Sequence, residues 1–352
     1  MKTQVLIIGG GFGGVTVAQK LQKNGIKTTL VDRKDYFEVT YAVLREVADP
    51  DKAKGLARRY YRDILAGSFV QSAVQVLRDN TALLENGEII SFEQVVIATG
   101  SKYPTLPLAK SIDASTLRDR EGELKRHYDK LKSASEVLII GGGVVGVELA
   151  GEIAYAIEGV NVTLVHKGHA VLDGFSEKAQ RKAHQQLANL GVHIKLKSNY
   201  QQSGNSYKDE RSGHEITPDV VYMATGTKPN NAFLQPHFKH LLNDKGLVVV
   251  NERLEVVGQD NFYALGDIAE VGEAKLGYLA VEQGKYLAKA IVNKRQRQPS
   301  KAYKRNAFMA LVPTGQETGV VQLPIFTSTC KHLVNLKQKD LFIGKTYKEF
   351  MK

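Results

Sequence analysis

The chain opens on a short apolar run, Val5-Leu6-Ile7-Ile8, that stops at a glycine. A continuous apolar run bounded by a turn residue predicts a buried parallel strand. A helix is predicted from about Gly13 to Asn24, ended by Gly25, and a second strand over Thr28 to Val31. The same succession returns later as a strand at Val137–Ile140, a helix from about Val145 to Ala156 and a strand from Val160 to Val165. Two further apolar runs, Gln94 to Ala98 and Val220 to Ala224, each end in Ala-Thr-Gly. Between these landmarks the pattern predicts a loop entering a short helix over Asp35–Glu46 and a basic helical stretch over residues 51–65 carrying Arg58, Arg59 and Arg62. It predicts short strands at Phe69–Leu77 and Thr81–Leu84, an amphipathic helix at Arg118–Lys132 and another at Glu177–Leu190. A polar hairpin is expected over 200–214, then short strands at Val248–Val250 and from Phe262, a helix over 277–292 and a basic linker from Lys294 to Arg305. Strands alternating with helices mean an α/β fold.

The residues at the strand ends carry the chemistry. Gly9, Gly11 and Gly14 have the spacing of a dinucleotide cradle, in which the first permits a tight turn, the second a close approach to a pyrophosphate and the third close packing of helix on strand. The helix that follows points its first N–H groups at phosphate. Asp32, at the tip of the second strand, suits a ribose. Gly141, Gly143 and Gly146 repeat the cradle, so two dinucleotides are expected to meet in one chain. Thr99-Gly100 and Gly226 place small residues at sheet edges where ligands bind, and Asp267, directly after an apolar strand, is exposed at another such edge or caps the next segment. The strand of the second unit ends in His166-Lys167, with no acidic residue until Asp173. A site lacking a carboxylate there does not exclude the 2′-phosphate of NADPH, so both NADH and NADPH are expected to be used. Glu148 and Glu152 share a helix face and read either as site carboxylates or as solvated ones.

Composition narrows this picture. At 352 residues the chain is longer than a single core supports, so two or three domains are expected. One cysteine, Cys330, excludes an intrachain disulfide, a cysteine metal cluster and the paired thiols of a disulfide reductase, and no metal site is expected. No apolar run reaches the about 18 residues needed to span a bilayer. No signal peptide is visible, Lys2 stands where myristoylation needs glycine, and a cytoplasmic setting is expected. The net charge of +11 favours phosphates or an anionic membrane surface.

Taken together, GGGFGG, VDRKDYF, VLRE, the Ala-Thr-Gly ends, GGGVVGVE, YALGDIAE and the tail KQKDLFIGKTYKE resemble the ferroptosis suppressor (apoptosis-inducing factor-like protein 2) family. That family lies within the two-dinucleotide-binding flavoproteins and is related to the type II NADH dehydrogenases. The resemblance implies two Rossmann-like dinucleotide-binding domains of the pyridine nucleotide-disulfide reductase type. Residues 1–105 with 243–293 would form an FAD domain, 106–242 an NAD(P)H domain, and 294–352 a region facing a membrane or partner. It implies that Gly9, Gly10, Gly11, Phe12, Gly13, Gly14, Asp32, Arg33, Arg45, Val74, Thr99, Gly100 and Asp267 serve FAD. Gly141, Gly143, Gly146, His166, Lys167 and Gly226 would serve NADH or NADPH, with Glu148 as the catalytic residue beside the nicotinamide. The implied activity is NAD(P)H:quinone oxidoreduction by a peripheral membrane flavoprotein on the inner face of a membrane, with no nucleic-acid partner and with a homodimer left open. The alternatives are a soluble reductase of a protein electron carrier and a redox-sensing flavoprotein that binds partners through its basic surface. The tail after Cys330 mixes apolar residues with lysines, as an interfacial element would. Gly344 is expected to interrupt any helix there, and Leu341–Ile343 reads equally as a strand.

Overall fold

The computed structural model describes residues 1–53 and 56–350. The opening strand, Lys2–Ile8, lies between Thr28–Asp32 and Ile89–Ile97, parallel to both. Residues with no exposed surface (Val5, Leu6, Ile7) account for its unbroken apolar run, because helices or strands cover both faces. Outward from this centre the sheet adds Ser68–Gln71 on one side and Thr81–Leu84 then Val74–Leu77 on the other. Phe262–Ala264, far along the chain, pairs with Ile89–Ile97 in the same sheet. The Phe12–Lys23 helix packs against Gly277–Arg295, which closes this first unit.

The second sheet is wholly parallel, in the order His193–Leu196, Asn161–His166, Glu136–Ile140, Val220–Met223. Its covering helices are Val144–Ala156 and Glu177–Asn189. The chain then ends in a three-stranded antiparallel sheet, Ala310–Pro313, Gly319–Gln322 and Thr327–Ser328, followed by the helices Lys331–Gln338 and Ile343–Phe350.

Several elements depart from the pattern. The basic stretch 51–65 is not one helix: Arg58–Tyr60 is a strand paired antiparallel with Tyr36–Glu38, flanked by two single-turn helices. Residues 54 and 55 of that stretch lie outside the described residues. Burial drives the change, because Arg58 is a fully covered cation held by Glu38 and Glu46. Arg120 completes the group, donating to Glu38 at 2.9 Å, to Glu123 at 2.7 Å and to the Leu108 carbonyl at 2.7 Å. Burial opposes charge on Glu38, but Arg120, Lys34 and Arg58 outweigh it and hold the carboxyl below its ordinary value. The run Phe69–Leu77 is split after Gln71, since its two halves sit at opposite edges of one sheet. The late helix runs on to Arg295, two residues into the expected linker.

The tail differs most. Leu341 and Phe342 take left-handed φ values of 52° and 55°. Asp340 then accepts from the backbone N–H groups of Phe342 and Gly344, each at 3.0 Å, and starts a helix through the glycine that was expected to break it. Leu341, Ile343, Tyr347 and Phe350 are buried in the core of the first unit. Phe350 sits edge-on to Phe37 at 4.9 Å, and the Tyr347 hydroxyl donates to the Ala57 carbonyl at 2.9 Å. These side chains are therefore packing residues, whereas Leu336 remains 61% exposed. Met351 and Lys352, part of the expected interfacial tail, lie outside the described residues.

Candidate functional site

The two glycine loops are built alike. A Cβ on Gly14 would stand 1.9 Å from the Gly9 carbonyl oxygen, and one on Gly146 would stand 1.8 Å from that of Gly141. Gly9 and Gly141 have φ of 102° and 120°. Side chains are excluded at all four positions by backbone. Gly11 and Gly143 are different: each has ordinary φ, −72° and −74°, and a Cβ on either would meet nothing within 4 Å. Each faces open space at the N-terminus of its helix, where the first N–H groups have no intrahelical acceptor. This is the shape and polarity a dinucleotide pyrophosphate needs, so the residues present at each loop fit a dinucleotide, flavin or nicotinamide alike. Gly10 and Gly13 have no such room, because Tyr61 and Leu265 would meet their Cβ atoms.

The two units are clamped together at their Ala-Thr-Gly ends. Ser101-Lys102 pairs antiparallel with Lys228-Pro229. Asn230 donates through its backbone to Gly100 O at 3.1 Å and through Nδ2 to Thr99 O at 2.9 Å, while Thr99 Oγ1 donates back to Asn230 O at 2.8 Å. The exposed Gly226, at φ 114°, turns the second strand into this clamp. Beside the clamp, Asp267 accepts from Ser101 Oγ at 2.6 Å and Lys110 Nζ at 2.8 Å. Burial disfavours its charge, but Lys110 and Ser101 prevail and hold the carboxyl below its usual value. It is an ionised acceptor at the sheet edge, not a helix cap. Tyr103, nearby, is pushed up to about 12 by burial and then by the charges of Asp267 and Glu148. One phenol thus feels a carboxylate from each unit, which brings the working ends of the two halves to one place.

Glu148 and Glu152 are buried, and neither is solvated. Glu148 Oε1 accepts from Lys337 Nζ at 2.8 Å, and Lys337 also donates to the Leu311 carbonyl at 3.0 Å and lies 5.7 Å from the Tyr41 ring centre. Glu152 accepts from Arg45 Nε at 3.1 Å and Nη2 at 2.8 Å. Burial raises the Glu152 carboxyl above its ordinary value, with Arg45 pulling against it. Arg45 Nη1 donates to the Gln338 carbonyl at 2.9 Å, and Nη2 to the Gln338 side chain. Arg45 therefore ties the second unit to the tail. Lys337 belongs to the tail lysines expected to face anionic lipid, yet it is buried, as is Gln338, which the sequence did not single out. The one hint was a polar pair at helical spacing from the apolar Val334, which is buried at 1% exposure.

The remaining expected residues are placed as follows. Asp32 Oδ2 accepts from Gly10 N at 2.6 Å and Oδ1 from Lys34 N at 2.9 Å, which fixes the strand tip against the loop. Arg33 is exposed and reaches the Ile112 carbonyl at 2.9 Å. Phe12 is stacked on Tyr41 at 5.4 Å and edge-on to Phe37 at 5.2 Å. Val74 is half-buried at a break in the pairing of its strand with Thr81–Leu84. His166 is buried and Lys167 is exposed. The acidic residue thought remote from the strand tip is not remote, because Asp173 Oδ2 lies 2.9 Å from His166 Nε2.

The family described as pyridine nucleotide-disulphide oxidoreductase matches residues 3–284. Ferroptosis suppressor protein 1 of Xenopus tropicalis is 30% identical, over 98% of this chain and 95% of the relative. The Homo sapiens protein of that name is 29% identical over the same shares. Apoptosis-inducing factor homolog A of Dictyostelium discoideum is 30% identical over 82% of this chain and 76% of its own. Among solved structures, NDH2 from Plasmodium falciparum in complex with NADH superposes at a TM-score of 0.80 and 14% identity, covering 100% of this chain and 97% of that one. The sulfide:quinone oxidoreductase of Aquifex aeolicus superposes at 0.81 and 17% identity, covering 99% and 91%. These two likenesses are of fold.

Proposed function

Because the chain belongs to the pyridine nucleotide-disulphide oxidoreductase family and, within it, with the ferroptosis suppressor relatives, we propose that its flavin is FAD and that its electron acceptor is a membrane quinone. The chain is a flavin-dependent NAD(P)H oxidoreductase. The observation that carries the finer reading is the pairing of two glycine cradles, each with open space at its second glycine, joined through Thr99, Gly100 and Asn230. Bound FAD would supply the redox chemistry, taking a hydride from NAD(P)H and giving two electrons to a quinone, so that NAD(P)H, quinone and one proton become NAD(P)⁺ and quinol.

The chain's own residues supply position and protons. Gly9–Gly14 and the first turn of the Phe12–Lys23 helix would hold the FAD pyrophosphate, and Asp267, kept ionised, accepts hydroxyl hydrogen bonds. Gly141–Gly146 would hold the pyrophosphate of the nicotinamide coenzyme. Lys337 carries three N–H donors, of which two are spent on Glu148 and Leu311 among the described residues. The third is not spent among the described residues, so Lys337 would offer an N–H at Nζ to a substrate oxygen, with Glu148 fixing its position. The single cysteine, Cys330, is exposed, which leaves no thiol pair to receive the electrons.

A quinone confined to a bilayer requires docking. No helix among the described residues is long and apolar enough to cross a membrane. Lys20, Lys23, Lys285, Lys345 and Lys348, with Glu349, line one groove of about 810 Å³ where three helices meet. Each lysine near an anionic surface contributes about 1 kcal/mol, so this face supports peripheral binding to the anionic cytoplasmic leaflet. The test is steady-state NADH oxidation with quinone, compared with a ferredoxin-type carrier. Quinone-dependent turnover supports the reading, and turnover with the carrier alone overturns it.

A further inference from the structure

The strand tips of the two units make the same lock with different residues. In the first, the Asp32 carboxylate accepts the Gly10 N–H at 2.6 Å. In the second, His166 stands in that position, and its Nδ1 accepts the Gly142 N–H at 3.1 Å. A backbone N–H can only donate, so Nδ1 presents a lone pair, and the neutral ring carries its proton on Nε2. That nitrogen is 2.9 Å from Asp173 Oδ2.

Asp173 reaches the strand tip because the chain doubles back on itself. The Leu172 N–H donates to the Gly142 carbonyl at 2.7 Å, which ties the returning segment to the glycine loop. Val171 and Leu172 are fully buried and anchor it. Leu172 accepts a left-handed φ of 60°, a conformation costly for a leucine, and Gly174 follows at 85°. Gly168 makes room. A Cβ there would stand 2.6 Å from His166 Nε2 and 2.9 Å from Asp173 Oδ2, so a side chain at this position would part the pair. The His166 side chain is 9% exposed and that of Asp173 is 61% exposed. One carboxylate oxygen is therefore fixed by a buried imidazole while the rest of the group faces outward beside the cradle.

We propose that Asp173, positioned by His166, is the carboxylate that accepts the adenosine ribose 2′-hydroxyl of NADH and repels the 2′-phosphate of NADPH. This rests on the reading of the second glycine unit as the nicotinamide-coenzyme site. The chemistry is the ordinary one for such sites: a hydroxyl donates to a carboxylate, and a dianionic phosphate cannot approach it. What is particular to this chain is the route, since the acid comes from a returning loop rather than from the strand tip. Lys167, exposed next to His166, opposes Asp173 and keeps the discrimination finite.

The test is calorimetric titration of the flavin-loaded protein with NAD⁺ and NADP⁺, alongside kcat/KM for NADH and NADPH. Asp173→Asn keeps the shape and removes the charge, and it should raise NADP⁺ affinity relative to NAD⁺ by about tenfold or more. His166→Asn keeps an acceptor for Gly142 but cannot reach Asp173, so it should relax selectivity while flavin content stays unchanged. His166 acts only by positioning, so His166→Asn added to Asp173→Asn should change selectivity no further. An Asp173→Asn variant that binds NAD⁺ normally and keeps the wild-type NADP⁺ to NAD⁺ ratio overturns the role of Asp173 and leaves the coenzyme site standing. Wild-type protein that binds neither nucleotide overturns the site itself, and the selector with it.

Discussion

Lys337 Nζ donates to Glu148 Oε1 at 2.8 Å, joining residues 189 positions apart. The contact draws the Lys331–Gln338 helix of the tail onto the first turns of the Val144–Ala156 helix. The tail is thus a structural part of the nucleotide-binding body and supplies a cation to its centre. Because both side chains are buried, removing one charge leaves the other without compensation. Lys337→Gln should cost roughly 3–5 kcal/mol of stability in urea unfolding. It should also lower kcat with quinone by about 10²–10⁴. Glu148→Gln combined with Lys337→Gln should restore much of the stability and none of the rate. Full activity in Lys337→Gln would remove the lysine from the chemistry.

The open space at Gly11 and Gly143 allows each cradle to be blocked separately. A Cβ at either position meets nothing within 4 Å, so both variants should fold. Gly11→Val should purify without flavin absorbance. Gly143→Val should keep its flavin but show no reduction on addition of NADH. The opposite assignment of losses would exchange the two cofactor sites.

Acid stability should follow Glu38. Its folded value lies below its ordinary 4.5, so the unfolded chain binds more protons and stability rises with pH through this region. The contribution is present above about pH 4.5 and is lost as the pH falls through the lower folded value. Asp267 acts in the same sense below its ordinary 3.8, whereas Glu152, raised in the folded protein, favours the folded state at low pH and loses that contribution as pH rises through its folded value. Thermal melts of Glu38→Gln should show a lower Tm near neutrality and a shallower decline on acidification. An unchanged acid slope would exclude Glu38 as its source.

Membrane docking is best tested at the lysines. Truncation before the tail would strip Tyr347 and Phe350 from the core and unfold what it was meant to probe. Replacing Lys20, Lys23, Lys345 and Lys348 with glutamate changes the groove and spares the core. That variant should no longer sediment with anionic vesicles at low salt, yet should reduce a water-soluble quinone at the wild-type rate. Sedimentation equal to wild type would remove this face from docking.

Much of the architecture was legible because the local constraints are severe. A four-residue apolar run followed by glycines leaves few alternatives, and backbone oxygens within 2 Å of a would-be Cβ explain why Gly14 and Gly146 are needed. What escaped the sequence depended on long-range pairing. Arg58 falls in a basic stretch of helical pattern, and its partners, Glu38 and Glu46, meet it only after a strand forms. The tail helix through Gly344 is set by the Asp340 side chain, which overrides the glycine. Asp173 looked too far along the chain to matter until the loop through Leu172 folded back.

Anaerobic mixing of the purified flavoprotein first with NADH and then with a short-chain benzoquinone tests the central claim most directly. The account predicts loss of the oxidised-flavin absorbance on adding NADH and its full return on adding quinone, with one NADH consumed per quinol formed. Flavin that NADH reduces but quinone leaves reduced, while a ferredoxin-type carrier reoxidises it, would contradict the account.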